Sequence, residues 1–486
     1  YSFVKSIEFS PNGERLFFSC WNDINQHFIG YTDFNDEFQV TLPSNNFGTN
    51  AHLELTFFNN NQTLACLTNE NKMIFIYDIE NSPFSDNAHI LSVNSGHDGV
   101  TNFVHLPKQI DSARFNNVDD CCSDFVNANE SVNLITTNTV WDNSFHTNFS
   151  DVWRIQPGVT LTIENSKIKF EDHAKIIVSP GAKLKLDNAI LTSSSCGTMW
   201  DGIVLEGNAN FAQSPIYQGT VEMINQSVLE NALTGIRVYG LNSNGSTEWS
   251  KTGGIVSAKD ALFLNNYRDV EFLSYKHENF SRFEKCQFIT NAPLLNGSSL
   301  KWHVSMYDVS GIKYLACEFA NEQAKPLMER GGGIKSVDAG YIVSGLCESI
   351  VNVGNPCQDM AYSQFTNLDF GIDATNPGGL QPIDISYSTF DKVYRGIQMH
   401  RVDLVNIHDN MLQLDNNQNT TGINLNRCNK YHVTGNEFDG LDNPSIVTNG
   451  IFIVNSNQNG LLSADNEIYR NTFNKITHGI RAQVFT

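Results

Sequence analysis

The sequence predicts an all-β chain in three parts: a propeller-like meander over 1–115, a linker over 116–139 and a right-handed parallel β-helix over 140–486. Three observations predict the solenoid. A Gly-Ile pair returns at Gly371-Ile372, Gly396-Ile397, Gly422-Ile423, Gly450-Ile451 and Gly479-Ile480, at intervals of 25, 26, 28 and 29 residues. Ahead of most pairs a large apolar residue stands near an asparagine, as in Phe365-Thr366-Asn367, Asn410-Met411-Leu412, Asn436-Glu437-Phe438 and Asn471-Thr472-Phe473. Between these phrases run short alternations of apolar and polar residues, none with helical spacing. A propeller blade needs about 40 residues, so a shorter period points to three strands per turn. Such coils stack about 4.8 Å apart and bury their inward residues as columns. About a dozen of them would reach roughly 60 Å.

Residues 1–115 obey a different rule. Ile7-Glu8-Phe9-Ser10-Pro11-Asn12-Gly13 leads through a turn to Leu16-Phe17-Phe18-Ser19-Cys20 and then to Phe28-Ile29-Gly30-Tyr31. The pattern returns at Leu55-Thr56-Phe57, Leu64-Ala65-Cys66-Leu67 and Ile74-Phe75-Ile76-Tyr77-Asp78. Each unit has the size and meander of a propeller blade. Two blades cannot close a ring, so the rest of a propeller is expected upstream. The linker carries Asp119-Asp120-Cys121-Cys122-Ser123-Asp124, which lacks a histidine and any metal-ligand spacing and is expected to be a pinned turn.

The solenoid is expected to begin near Val140-Trp141. Its first coils alternate cleanly: Val159-Thr160-Leu161-Thr162-Ile163, Lys167-Ile168-Lys169-Phe170, Lys175-Ile176-Ile177-Val178 and Lys183-Leu184-Lys185-Leu186. Outward lysines and inward aliphatics mean one wet and one buried face. Pro157-Gly158 and Pro180-Gly181 mark corners, and Arg330-Gly331-Gly332-Gly333 is expected to loop out as a flexible turn.

Ile155-Gln156-Pro157-Gly158-Val159-Thr160-Leu161, Gly181-Ala182-Lys183-Leu184, Leu186-Asp187-Asn188-Ala189 and Cys196-Gly197 followed by Trp200-Asp201-Gly202-Ile203 carry a more specific signal. Together with Phe9-Ser10-Pro11-Asn12-Gly13, this series resembles very large secreted surface proteins of the Bacteroidota. In these, propeller-like repeats precede a right-handed β-helix. The resemblance implies an exported, extracellular or cell-surface location and carriage by the type IX secretion system. It covers residues 1–20 and 140–208 well, and later coils by pattern alone.

The chain carries 52 acidic against 31 basic residues, a formal charge of −21. Neither a nucleic-acid backbone nor an anionic membrane suits such a surface, and no apolar run is long enough to span a bilayer. Neither nucleic acid nor membrane insertion is therefore expected. The ten cysteines form no zinc-type cluster. Cys286 and Cys317 each stand two residues before a phenylalanine, on what should be neighbouring coils, and Cys347 and Cys357 bracket a short loop. Either pair is compatible with a disulfide in an oxidising compartment or with buried thiols filling a column.

Hydrolase, zinc-protease and dinucleotide fingerprints are all missing, so no catalytic residue, metal or cofactor is assigned. The coil register nevertheless places side chains. Outward positions after each Gly-Ile pair stack as Asp373, Gln398, Asn424, Phe452 and Arg481, and one pleat on as Thr375, His400, Asn426, Val454 and Gln483. Arg401 and Arg427 follow at the next corner. The strip of Asp373, Gln398, His400, Arg401, Asn424, Asn426, Arg427 and Arg481 is a candidate glycan-binding surface. The leading expectation is a non-catalytic structural or adhesive module, with other secreted or cell-surface proteins and glycans as partners. One alternative is a carbohydrate-active enzyme using Asp373, His400 and Arg401. Another is a subunit of the secretion or gliding-motility apparatus.

Overall fold

The computed structural model describes residues 132–142, 151–194, 198–349, 357–377, 381–414, 419–440, 447–455 and 466–484 in full. The seven strands between residues 3 and 92, and the strand Asn148–Phe149, are described by backbone pairing. The Asp119–Asp124 turn lies outside the described residues. The chain divides into two compact units, 1–127 and 128–486. In the first, Phe3–Phe9, Arg15–Trp21 and His27–Asp33 form an antiparallel three-stranded sheet. Leu53–Phe58, Thr63–Thr68, Met73–Asp78 and His89–Ser92 form an antiparallel four-stranded one.

The second unit is a stack of coils with three strands each. A strand of the first sheet leads to one of the second, then the third, then back to the first a coil later, as in Val152–Ile155, Thr160–Glu164, Lys167–Phe170 and Lys175–Val178. The first sheet has 14 strands, counting one antiparallel hairpin arm (Thr247–Thr252), and the second and third have 12 each. Every other pairing within these sheets is parallel, as a solenoid requires. The ladder starts at Val132–Ile135, which pairs in register with Val152–Ile155, inside the stretch expected to be a linker. Only Ile135 of that strand is buried. A first coil with no described coil beneath it shows no clean alternation to betray it.

Inward columns make the core. Ile334, Ile372, Ile397, Ile423, Ile451 and Ile480 pair in unbroken register. The first five are fully buried, each contributing about 1.5–3 kcal/mol. Ile480, on the last described coil, is 51 % exposed because no described coil covers it. On the third sheet Phe263, Phe288, Phe319, Phe365 and Phe390 stack ring over ring with centroids 4.7–4.8 Å apart, the coil spacing itself.

The glycine before each isoleucine has a steric reason. A Cβ on Gly396 would lie 2.6 Å from the carbonyl oxygen of Gly422, and Gly333, Gly371, Gly422 and Gly450 meet the next glycine carbonyl in the same way. Gly396→Ala is therefore expected to cost about 1–3 kcal/mol by overpacking, read as a lowered denaturation midpoint. Gly245→Asn, in an open hairpin turn with nothing within 4 Å, meets only the strain of a φ of 72°, which asparagine tolerates best, and should cost less than about 1 kcal/mol. The same register corrects the Gly331–Gly333 expectation. Only Gly331 turns a corner (φ 75°), while Gly332–Val337 is a strand whose Gly333-Ile334 is one more Gly-Ile pair.

Two coils break the glycine column. Asp269 and His303 stand immediately before Val270 and Val304, which continue the isoleucine column between Ile236 and Ile334. Both side chains are buried, with His303 Nδ1 2.6 Å from Asp269 Oδ2 and Nε2 3.2 Å from the Ala320 carbonyl. A carbonyl only accepts, so Nε2 keeps its proton, and one further proton sits between Nδ1 and Oδ2. Asn266 donates to the other Asp269 oxygen at 2.7 Å. Burial pushes the Asp269 carboxyl up, and its bond to His303 opposes the rise.

Corners are made by residues in the left-handed region, among them Asn165, Asn188, Asn231, Asn265 and Asn367, which explains much of the asparagine content. The residue after the corner between second and third sheets is small or amidic and buried. In the last coils it becomes a ladder. Asn410 donates Nδ2 to Asn436 Oδ1 at 2.9 Å, and Asn436 donates to Asn471 at 2.9 Å. Each amide also donates to a carbonyl near the end of a second-sheet strand, of Ile385, Ile407 and Val433 in turn.

Cys286 and Cys317 occupy that same column earlier in the stack. They are free, buried thiols and not a disulfide. Each donates to a backbone carbonyl, Cys286 to Glu284 at 3.4 Å and Cys317 to Phe283 at 3.4 Å, so they fill the column as serine does at Ser363 and Ser388. Cys347 and Cys357 are bonded to each other and close the hairpin of Leu346–Ser349 with Asp359–Ala361.

Candidate functional site

The outer face of the first sheet gathers most of the strip. Strands Gly332–Val337, Phe370–Thr375, Arg395–His400 and Thr421–Asn426 lie side by side in register. Alternation turns Ile, Ala, Met and Leu inward and leaves Asp373, Gln398 and Asn424 stacked on the other side, with Thr375, His400 and Asn426 one pleat further. Here the sheet carries an open cleft of about 470 Å³, lined by Asp373, Gln398, His400, Asn424 and Asn426 together with Lys335, Phe370 and Arg395.

Asp373 sits deeper than an outward strand residue should, only 7 % exposed. Lys335 on the preceding coil reaches its Oδ2 at 2.5 Å, and Gln398 on the next donates to Oδ1 at 3.3 Å. Lys335 Nζ also lies 5.7 Å from the centre of the Trp302 ring. Trp302 extends over Gly332 toward Phe370, with ring centroids 5.7 Å apart, and a Cβ at Gly332 would fall 2.1 Å from that indole. A missing side chain thus lets two aromatics form one wall.

Arg395 projects from the position next to Phe370, its guanidinium 5.1 Å from the Tyr394 ring. His400 is held below its ordinary value near 6.5, first by burial and then by Arg401 and Arg427, with Asp373 pulling weakly the other way. It is a neutral imidazole at pH 7. Arg401 and Arg427 are exposed corner residues with φ of 54° and 57°, one coil apart. Arg481 does not line the cleft; it lies 5.3 Å over the ring of Phe452, farther along the same column.

A glycosidase needs two carboxylates flanking one bond. Asp373 is the single carboxylate among the residues lining this cleft, and it is engaged by Lys335. Asp403 and Asp409 do not line it; they accept from Asn429 and bond His408 at the second sheet. Among the described residues no group of three or more His, Cys, Asp or Glu is placed to hold a metal.

Sequence reasoning missed Trp302, Lys335, Phe370 and Arg395. Trp302, Phe370 and Arg395 share the register of Gly332, one residue before the Gly-Ile pair, while Lys335 stacks on Asp373 in the coil whose Gly331–Gly333 had been read as a turn. No protein-family model matches the chain, and neither a curated protein nor a solved structure does.

Proposed function

We propose that this chain is a non-catalytic adhesive module of a secreted cell-surface protein, a right-handed solenoid whose first sheet binds a glycan. On this reading the two N-terminal meanders are propeller blades. The resemblance to Bacteroidota surface proteins supplies the location, and secreted proteins and glycans are the partners. The carrying observation is the cleft itself. The amide of Gln398 stacks on that of Asn424, with Asn426 one pleat on, in the cleft walled by Phe370 and the neighbouring Trp302, where the one carboxylate is already neutralised. Amides serve sugar hydroxyls, and an aromatic wall serves the apolar face of a pyranose ring.

The full chain should be titrated against a polysaccharide panel while reducing ends are counted. Binding without turnover, weakened about tenfold or more by Gln398→Ala combined with Asn424→Ala, is the expected result. Turnover abolished by Asp373→Ala or His400→Ala would replace this reading with a carbohydrate-active enzyme. No binding by any glycan would remove it.

A further inference from the structure

We infer that the ligand of this cleft is an anionic polysaccharide, a chain bearing carboxylate or sulfate on successive sugars. This rests on the glycan-binding reading above and narrows it. The chain as a whole is strongly acidic, yet four cations stand in or beside this cleft: Lys335, Arg395, Arg401 and Arg427 lie on three of four successive coils. Only Lys335 is answered by a carboxylate. Among the described residues no acid forms an ion pair with Arg395, Arg401 or Arg427.

An arginine stacked on tyrosine, as Arg395 is on Tyr394, keeps its planar edge free for a bidentate carboxylate or sulfate. Arg401 and Arg427 repeat one coil apart, about 4.8 Å along the axis at the backbone, and extended sugar chains repeat at a comparable step. His400 is held below its ordinary value first by burial and then by these two corner arginines. A neutral imidazole adds no charge of its own, but it can donate to or accept from a hydroxyl. Elsewhere the net charge of −21 repels polyanions, so discrimination should come from this patch and should fade with salt.

The experiment tests the full chain against four glycan probes: polygalacturonate for carboxylate, dextran sulfate for sulfate, and unmodified dextran and xylan as neutral chains. Single-stranded DNA is a third polyanion, with no pyranose for the aromatic wall. The variants are Arg395→Gln and the double Arg401→Asn, Arg427→Asn. Asparagine tolerates the left-handed corner conformation better than other substituents, so the fold is kept. Lys167→Gln, an exposed lysine of an early coil, is the control.

The expected result is binding of at least one anionic glycan, at least tenfold tighter than either neutral chain. Binding should weaken about tenfold or more in the Arg395 variant and in the double corner variant, and on raising salt from about 50 to about 200 mM. Lys167→Gln should change nothing. Which of polygalacturonate and dextran sulfate binds identifies the anion. Equal or tighter binding of neutral chains, or affinity indifferent to salt, overturns this inference while glycan binding stands. Equal capture of DNA overturns it as a non-specific polyanion trap. If no glycan of any charge binds, both readings fall.

Discussion

Ile397→Asp is expected to destabilise the solenoid by about 4 kcal/mol or more, measured by denaturant unfolding of the full chain. Ile397 is fully buried between Ile372 and Ile423, with nothing polar in its column to receive a carboxylate. The new group must either stay charged in a dry column or take up a proton and remain without a full set of partners. Ile480→Asp supplies the internal comparison. It occupies the same register but is half exposed, so the change there should stay within about 1 kcal/mol. An unchanged midpoint for Ile397→Asp would contradict the burial of the column.

The second large effect concerns the Asp269–His303 pair. Asp269→Gly restores the residue used by neighbouring coils but leaves the buried His303 Nδ1 facing nothing, and His303→Gly strands the Asp269 carboxylate. Each single change should cost about 3–5 kcal/mol, the usual penalty for breaking a buried pair from one side. The double variant, with glycine at both places, should cost much less than the two added together. A coupling of about 2 kcal/mol or more is expected from the cycle. Additive losses would mean that the two side chains do not act as a unit.

That pair also explains where the sequence stopped being legible. Five Gly-Ile repeats near the C-terminal end gave the register of the outward strip residue by residue, because glycine there is imposed by the next coil's carbonyl. In the middle the same position holds Asp269 and His303, so the phrase vanishes although the column continues. Gly333-Ile334 was hidden differently. The hairpin closed by Cys347 and Cys357 lengthens the interval before Gly371-Ile372 and makes three glycines look like a loop. The cleft was half visible for a related reason. Period-two alternation finds Asp373, Gln398 and His400, but only the fold shows that Trp302 crosses a glycine to meet Phe370. Likewise, no spacing in the chain distinguishes thiols that bond to each other from thiols that merely fill a column, as Cys286 and Cys317 do.

The stacking of coils has a mechanical consequence. Apart from the hairpin arm Thr247–Thr252, first-sheet strands pair with the coil before and the coil after, as Arg395–His400 does with Phe370–Thr375 and Thr421–Asn426. Tension applied along the axis to the last described coil would load its ladder one bond at a time and peel that coil away, leaving those behind it intact. Ile397 and Ile423 mark the same point on successive coils, 26 residues apart, so each release would pay out roughly 90 Å of extended chain. Force applied across the axis would instead strain many ladders at once. The solenoid should thus be stiff sideways and yield lengthwise in discrete steps, each the length of one coil.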